Sequence, residues 1–253
     1  MKNFLRAMLS LLSAGLIGGC ITIGDAGKPI ASVLVPALQP GAERTLVVVL
    51  PGFGNEAEDM QEQGIDKAVH QHWPEADVLL TSATFAYYKE RNIVARLQAD
   101  VIAPARAQGY RQIWLAGASI GAMGVLFYEY EYPDTIDGLV LLAPWVGDRD
   151  LLDEIRAAGG VSQWQPGAVP AAIDGDNYQR EMWRVVKRWS QDPQRRQRVW
   201  LICGDQDRLL QTSRLIAPAL PESHYAEIPG AHDWKTFIQA TERIISEIRK
   251  RPA

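Results

Sequence analysis

Residues 112–130 read QIWLAGASIGAMGVLFYEY. The apolar run Gln112–Ala116 passes without a linker into Gly117-Ala118-Ser119-Ile120-Gly121, and a helical pattern follows over Ile120–Tyr130. A run of that kind, bounded by a turn, predicts a strand buried on both faces. Gly-x-Ser-x-Gly between strand and helix then has a steric meaning. The turn is so tight that only glycine fits on either side of the serine, whose hydroxyl projects from the sheet edge at a helix N-terminus. A serine that merely caps the helix is the plainer alternative. By chance the pattern is expected only about 0.07 times in a chain of this length, given ordinary Gly and Ser usage.

Outward from this turn the same rhythm repeats. Short β-branched runs occur at Thr45–Leu50, Asp77–Thr81, Gly138–Leu142, Val199–Cys203 and Tyr225–Ile228, with a first short strand expected around Ser32–Leu38. Helical patterns lie between them at about Asp59–His72, Asn92–Ala107, Leu210–Leu220 and Trp234–Arg249. In the last, Phe237, Ile238, Thr241, Ile244, Ile245 and Ile248 form one apolar stripe. Alternation of this kind predicts βαβ units, hence an α/β fold with a parallel sheet and helices on both faces. The rhythm breaks between Leu142 and Val199, where the connection carries Trp164, Tyr178, Trp183 and Trp189 and a helical pattern near Tyr178–Trp189. Connections that long are usually functional, so residues 147–197 are expected to form a small helical lid. Its aromatics, with Trp145 just after a strand end, either line an apolar pocket or pack the lid onto the body.

Serine is a weak nucleophile at its own pKa; a base must take its proton and a third group must orient that base. His232 follows the last strand and precedes the last helix, in Ile228-Pro229-Gly230-Ala231-His232-Asp233-Trp234. His70, His72 and His224 lack that setting, and His70 and His72, two apart on a helix, do not share a side. The acid comes from Gly204-Asp205-Gln206-Asp207-Arg208. Asp207, further beyond the strand end, is the expected orienting acid, with Asp205 more suited to holding turn amides. The negative oxygen of a tetrahedral intermediate needs amide donors. The amide of Ile120 and that of Phe53, in Leu50-Pro51-Gly52-Phe53-Gly54-Asn55, are the candidates.

With these motifs the chain resembles the serine α/β-hydrolases over about Thr45–Arg249. The resemblance implies a mostly parallel, eight-stranded sheet with the Ser119, His232 and Asp207 set at the carboxyl ends of the strands. It also implies hydrolysis of carboxylic esters through an acyl-enzyme on Ser119, of the carboxylesterase or lysophospholipase-like kind, with no metal or cofactor. Two departures stand out. Pro51-Gly52-Phe53-Gly54 replaces the family's frequent His-Gly, and fewer than 45 residues precede TLVVVL, so one of the first two strands is expected to be short or missing. The rival expectation is a catalytically silent fold of the same kind, a scaffold or ligand binder, since folds do not dictate activity.

The chain's start is of another character. Lys2 and Arg6 precede a short apolar stretch, Leu9–Ile17, and Gly18-Gly19 come before Cys20. The stretch is too short and too broken to span a bilayer, which takes about 20 apolar residues. Leu16-Ile17-Gly18-Gly19-Cys20 resembles the lipobox of bacterial lipoproteins, which implies residues 1–19 as a signal peptide and lipidation of Cys20. Residues 20–43 are then a tether and 44–253 the hydrolase domain. Ile21, in place of Asp, implies sorting to the outer membrane of the cell envelope; an ordinary signal peptide of a periplasmic or secreted protein is the alternative. Composition supports a globular body, with 47% hydrophobic and 22% charged residues. The net charge of −4 excludes non-specific nucleic-acid binding, which needs a basic surface. The two resemblances imply as partners a small ester substrate and, through the lipid anchor, a membrane. Apart from Cys20 the one thiol is Cys203, in the run VWLIC, expected as a small buried hydrophobe.

Overall fold

The computed structural model describes residues 24–250. Residues 1–19, expected as an export segment, and Cys20 lie outside the described residues. Seven strands form one sheet: β1 (Ser32–Val35), β2 (Thr45–Leu50), β3 (Ala76–Thr81), β4 (Gln112–Ala118), β5 (Gly138–Leu142), β6 (Val199–Gly204) and β7 (Tyr225–Ile228). Their order is β1-β3-β2-β4-β5-β6-β7. β1 pairs antiparallel with β3, and every other pairing is parallel. The described sheet has one strand fewer than the eight implied by the resemblance, because the chain before Thr45 supplies a single edge strand.

The inner strands β2, β5 and β6 are buried along their whole length, as their apolar runs require, whereas edge strand β1 has no buried residue and β7 buries only Ile228. Along β2, Leu46, Val48 and Leu50 belong to one core, with Val47 and Val49 in the other. This two-residue period fixes the register, since a slip by one residue would exchange the faces. The second face is covered by α1 (Ala57–Gln63), α2 (Ile65–His70) and the C-terminal helix, which packs through Phe237, Ala240, Ile244 and Ile245. The helix expected over Asp59–His72 is divided at Gly64, which has φ +89° and caps α1.

The first face carries α3 (Phe85–Lys89) and a helical run that begins as α4 (Ile93–Arg96), widens to a π-helix at Leu97–Ile102 and ends as α5 (Ala103–Ala107). Beside them lie α6 (Ile120–Glu131) and the insertion between β5 and β6. That insertion contains α7 (Arg149–Ala157), α8 (Tyr178–Gln191) and α9 (Pro193–Arg196). It is packed down onto the body: Trp183 and Trp189 are fully buried, Trp164 is 1% exposed, and the Trp183 indole donates to Val146 O at 2.9 Å. Glu154 ties the insertion together, accepting from the Trp164 indole and from both terminal nitrogens of Arg180. Of the two roles open to these tryptophans, the structure shows the packing one.

The remaining helices are α10 (Leu210–Ile216) and α11 (Trp234–Arg249). Ahead of β1, within the stretch expected as a tether, Ala26 and Ile30 are already buried in the first core. Asn92 Nδ2 donates to Ala26 O at 3.0 Å, and the Ile30 amide donates to Asp100 at 2.9 Å. Among the described residues no helix is long and apolar enough to cross a membrane.

Trp183 lies in the first core and also satisfies a backbone carbonyl, so truncation to alanine removes both packing and a hydrogen bond. Urea unfolding of Trp183→Ala should show a loss of about 3–5 kcal/mol in stability, the usual cost of removing a core tryptophan.

Candidate active site

The site is built at the carboxyl edge of the sheet by a stair of backbone hydrogen bonds. The Ser119 amide donates to Leu142 O, the Ala143 amide to Ile202 O and the Asp205 amide to Ile228 O. Each bond carries the ladder one residue past the end of a strand. The loops after β4, β5, β6 and β7 are therefore held side by side, and these loops carry Ser119, Asp207 and His232.

Ser119 has φ 54° and ψ −114°, a conformation that a residue with a Cβ rarely adopts. Strain of this kind persists only where the surroundings over-determine it, and here they do. A Cβ on Gly117 would lie 2.3 Å from the Gly121 carbonyl carbon, and one on Gly121 would lie 2.5 Å from Leu50 O. Both glycines are thus required by backbone packed on backbone. The Ser119 carbonyl accepts from the Ala122 amide and the Trp145 amide, which folds the loop after β5 over the turn. Ser119 is 8% exposed and stands directly before the first residue of α6, Ile120. The first amides of a helix have no carbonyl behind them and point at whatever occupies its N-terminus.

Asp207 and His232 are joined directly. The side chain of Asp207 is fully buried, and its Oδ2 lies 2.7 Å from His232 Nδ1. A carboxylate can only accept, so Nδ1 carries the hydrogen, and it is the neutral ring with this tautomer that has its lone pair on Nε2. Asp207 Oδ1 accepts from the Leu209 amide at 2.8 Å, which fixes the carboxylate's rotation. Asp205 does other work: its Oδ1 accepts from the Gly230 amide, bracing the loop that presents His232. The braced loops approach so closely that a Cβ on Gly204 would lie 2.3 Å from Gly230 O. Behind His232, Phe237 meets the imidazole edge-on with centroids 5.2 Å apart, and Asp233 caps α11 by accepting from Thr236. Those bonds from the Thr236 amide and hydroxyl hold the Asp233 carboxyl below its usual range.

Ser119, after β4, stands on the same edge, two strands from Asp207 and three from His232. Among the described residues no hydrogen bond joins its hydroxyl to His232; such bonds are often long or unformed before substrate is present. The loop after β2 runs beside the serine. A Cβ on Gly52 would lie 4.0 Å from Ser119 Cβ, and the next residue, Phe53, is 38% exposed and packs edge-on against Phe85 with ring centroids 5.4 Å apart. Two of the other three histidines are employed elsewhere: His70 Nε2 contacts Ala76 O at 3.0 Å, and His224 stacks on Trp200. Among the described residues no group of three His, Cys, Asp or Glu could hold a metal ion.

A feature that sequence reasoning missed lies one turn further along α6. A cavity of about 760 Å³ lies beside that helix, lined by Phe85, Tyr88, Met123, Phe127, Ile173 and Tyr178. Three chain segments far apart in sequence make its walls. The sole local signal was the pair Met123 and Phe127, four residues apart and hence on one side of α6.

The sheet, its parallel crossovers and the strand–serine–helix turn define the α/β-hydrolase fold. Among solved structures, Est1E from Butyrivibrio proteoclasticus superposes with a TM-score of 0.62 over 89% of this chain and 95% of its own, at 18% identity. An S-formylglutathione hydrolase from Staphylococcus aureus gives a TM-score of 0.57 over 84% and 83% at 15% identity. A fluorophosphonate-binding serine hydrolase from the same organism gives 0.55 over 88% and 99% at 16% identity. At these identities the fold is what is shared. No protein-family model and no curated protein sequence matches the chain.

Cys203 is 1% exposed in β6, and burial pushes its thiol up to about 12. The native protein at pH 8 should therefore leave a thiol reagent such as 5,5′-dithiobis(2-nitrobenzoate) unreacted at Cys203, whereas unfolding in guanidinium should release one equivalent promptly.

Proposed function

We propose that the chain is a serine hydrolase of carboxylic esters, with Ser119 as nucleophile, His232 as base and Asp207 as orienting acid. The observation that carries this reading is the 2.7 Å bond between buried Asp207 and His232, placed on the same sheet edge as the strained Ser119. In this mechanism His232 Nε2 takes the Ser119 hydroxyl proton as the oxygen attacks the ester carbonyl. Asp207 keeps Nδ1 protonated and steadies the imidazolium that forms. The Ile120 amide, at the helix N-terminus, and the Phe53 amide, on the loop beside the serine, receive the oxyanion. His232 returns its proton to the leaving alcohol. It then activates a water, which attacks the acyl-enzyme and releases the acid.

The similar solved structures support ester hydrolysis only through a shared fold, so the residues above carry the reading. Carboxylesterase or lysophospholipase-like chemistry is the substrate class in keeping with an apolar cavity one turn from the nucleophile. We also propose that residues 1–19 are removed as a signal peptide and that Cys20 is lipidated, which would anchor the protein in the bacterial envelope, at the outer membrane.

Ser119→Ala should lower turnover of p-nitrophenyl butyrate by about 10⁴–10⁶-fold, because members of such a set act as a unit. Asp207→Asn should cost about 10⁴-fold by holding the imidazole in the wrong tautomer, and Asp205→Asn far less. A fluorophosphonate probe should label the folded wild type and not Ser119→Ala. Wild-type rates in the serine variant, or no labelling of folded protein, would turn the reading to a silent ligand binder. Mass spectrometry of the membrane fraction should find a diacylglyceryl group on an N-terminal Cys20.

A further inference from the structure

The turn from Thr84 to Ala95 has two sides, and they serve different things. On one side it grips the start of the described chain. A Cβ on Gly24 would lie 2.0 Å from Thr84 Oγ1, the Tyr87 hydroxyl donates to the Lys28 and Pro29 carbonyls, and Asn92 Nδ2 donates to Ala26 O. On the other side Phe85, Tyr88, Ile93 and Val94 form a wall of the 760 Å³ cavity. The far wall is α6 from Met123 to Glu131 together with Ile173 and Tyr178. The cavity therefore runs along a helix whose first residue follows Ser119, for about 12 Å at 1.5 Å per residue between Met123 and Glu131. Its lining is mostly apolar, with Lys89, Arg91, Glu131 and Asp174 also on it. Its near end, at Phe85, adjoins Phe53 beside the nucleophile.

The docked N-terminus decides where that cavity sits in the cell. Gly24 is four residue steps beyond Cys20, and four steps of extended chain reach at most about 14 Å. A lipid on Cys20 would thus hold the Thr84–Phe85 corner within that distance of the bilayer. A free tether of twenty residues would leave the orientation open; docking from Gly24 removes that freedom. The chemistry that fits is an ester with one unbranched acyl chain, presented from a membrane. The chain would lie along α6, with its carbonyl at Ser119.

We propose that this cavity is the acyl subsite for a single-chain membrane ester and that the docked segment Gly24–Ile30 sets its opening against the bilayer. The inference rests on the ester-hydrolase reading and goes beyond it in naming the substrate class and the direction from which it arrives.

The test uses the full lipidated protein in phosphatidylcholine vesicles, with monolauroylglycerol in the bilayer and p-nitrophenyl acetate in solution. Ile173→Trp, on a half-exposed loop, and Val94→Trp, on the opposite wall, should each lower the laurate-to-acetate rate ratio about tenfold or more by filling the cavity. The ratio corrects for any loss of folded enzyme. A Gly/Ser insert of about ten residues between Ile23 and Gly24, which touches no cavity wall, should reduce monolauroylglycerol turnover severalfold by releasing the fixed orientation while the acetate rate stays the same. If Ser119-dependent acetate hydrolysis occurs and both tryptophan variants keep the wild-type ratio, or the insert has no effect on the vesicle substrate, this inference is wrong and the esterase reading stands. If acetate is not hydrolysed at all, both fall.

Discussion

The closeness with which α6 meets the end of β2 governs the site. The backbone of Gly121 lies against the Leu50 and Pro51 carbonyls, with no room for a Cβ between them. That contact forces the turn at Ser119 into its unusual φ and ψ, aims the first amides of α6 outward, and brings the Gly52–Phe53 segment beside the serine. Buried strands of apolar residues supply the energy that holds the two backbones together. The hydrophobic term is non-directional, so the geometry comes from the parallel β2–β4 register, in which Leu50 pairs with Gly117.

A second constraint completes the arrangement. The hydrogen-bond stair at the carboxyl edge carries the alignment from β4 across to β7, so that Asp207 and His232 are set by backbone rather than by loop preference. Asp205 and Asp207 divide the labour: one carboxylate holds the loop and the other holds the imidazole. Two acids of the same type, two residues apart, act differently because their backbones face different partners.

The inner strands were legible because strands buried on both faces leave continuous apolar runs; the edge strands β1 and β7 stand at expected positions too, although little of either is buried. The serine turn was legible for a local reason, since its glycines answer a steric demand within five residues. What escaped the sequence is non-local. The short helices Phe85–Lys89 and Arg149–Ala157 lack the length that makes a period visible. The tryptophans of the insertion are compatible with lining a pocket or filling a core, and only the packed structure separates these. The cavity has walls from residues 85–95, 123–132 and 171–178, and no window along the chain contains it. Likewise the docking of Ala26 and Ile30 depends on Asn92 and Asp100, some 70 positions away.

The place of His232 in the chain bears on what the last helix contributes to the site. It directly precedes α11, whose cap is the next residue and whose Phe237 backs the imidazole. A chain shortened before α11 would keep the serine turn but lack Phe237 behind the imidazole. The Asp207–His232 pair thus leans on a helix that the serine turn, built from β4 and α6, does not touch through this contact.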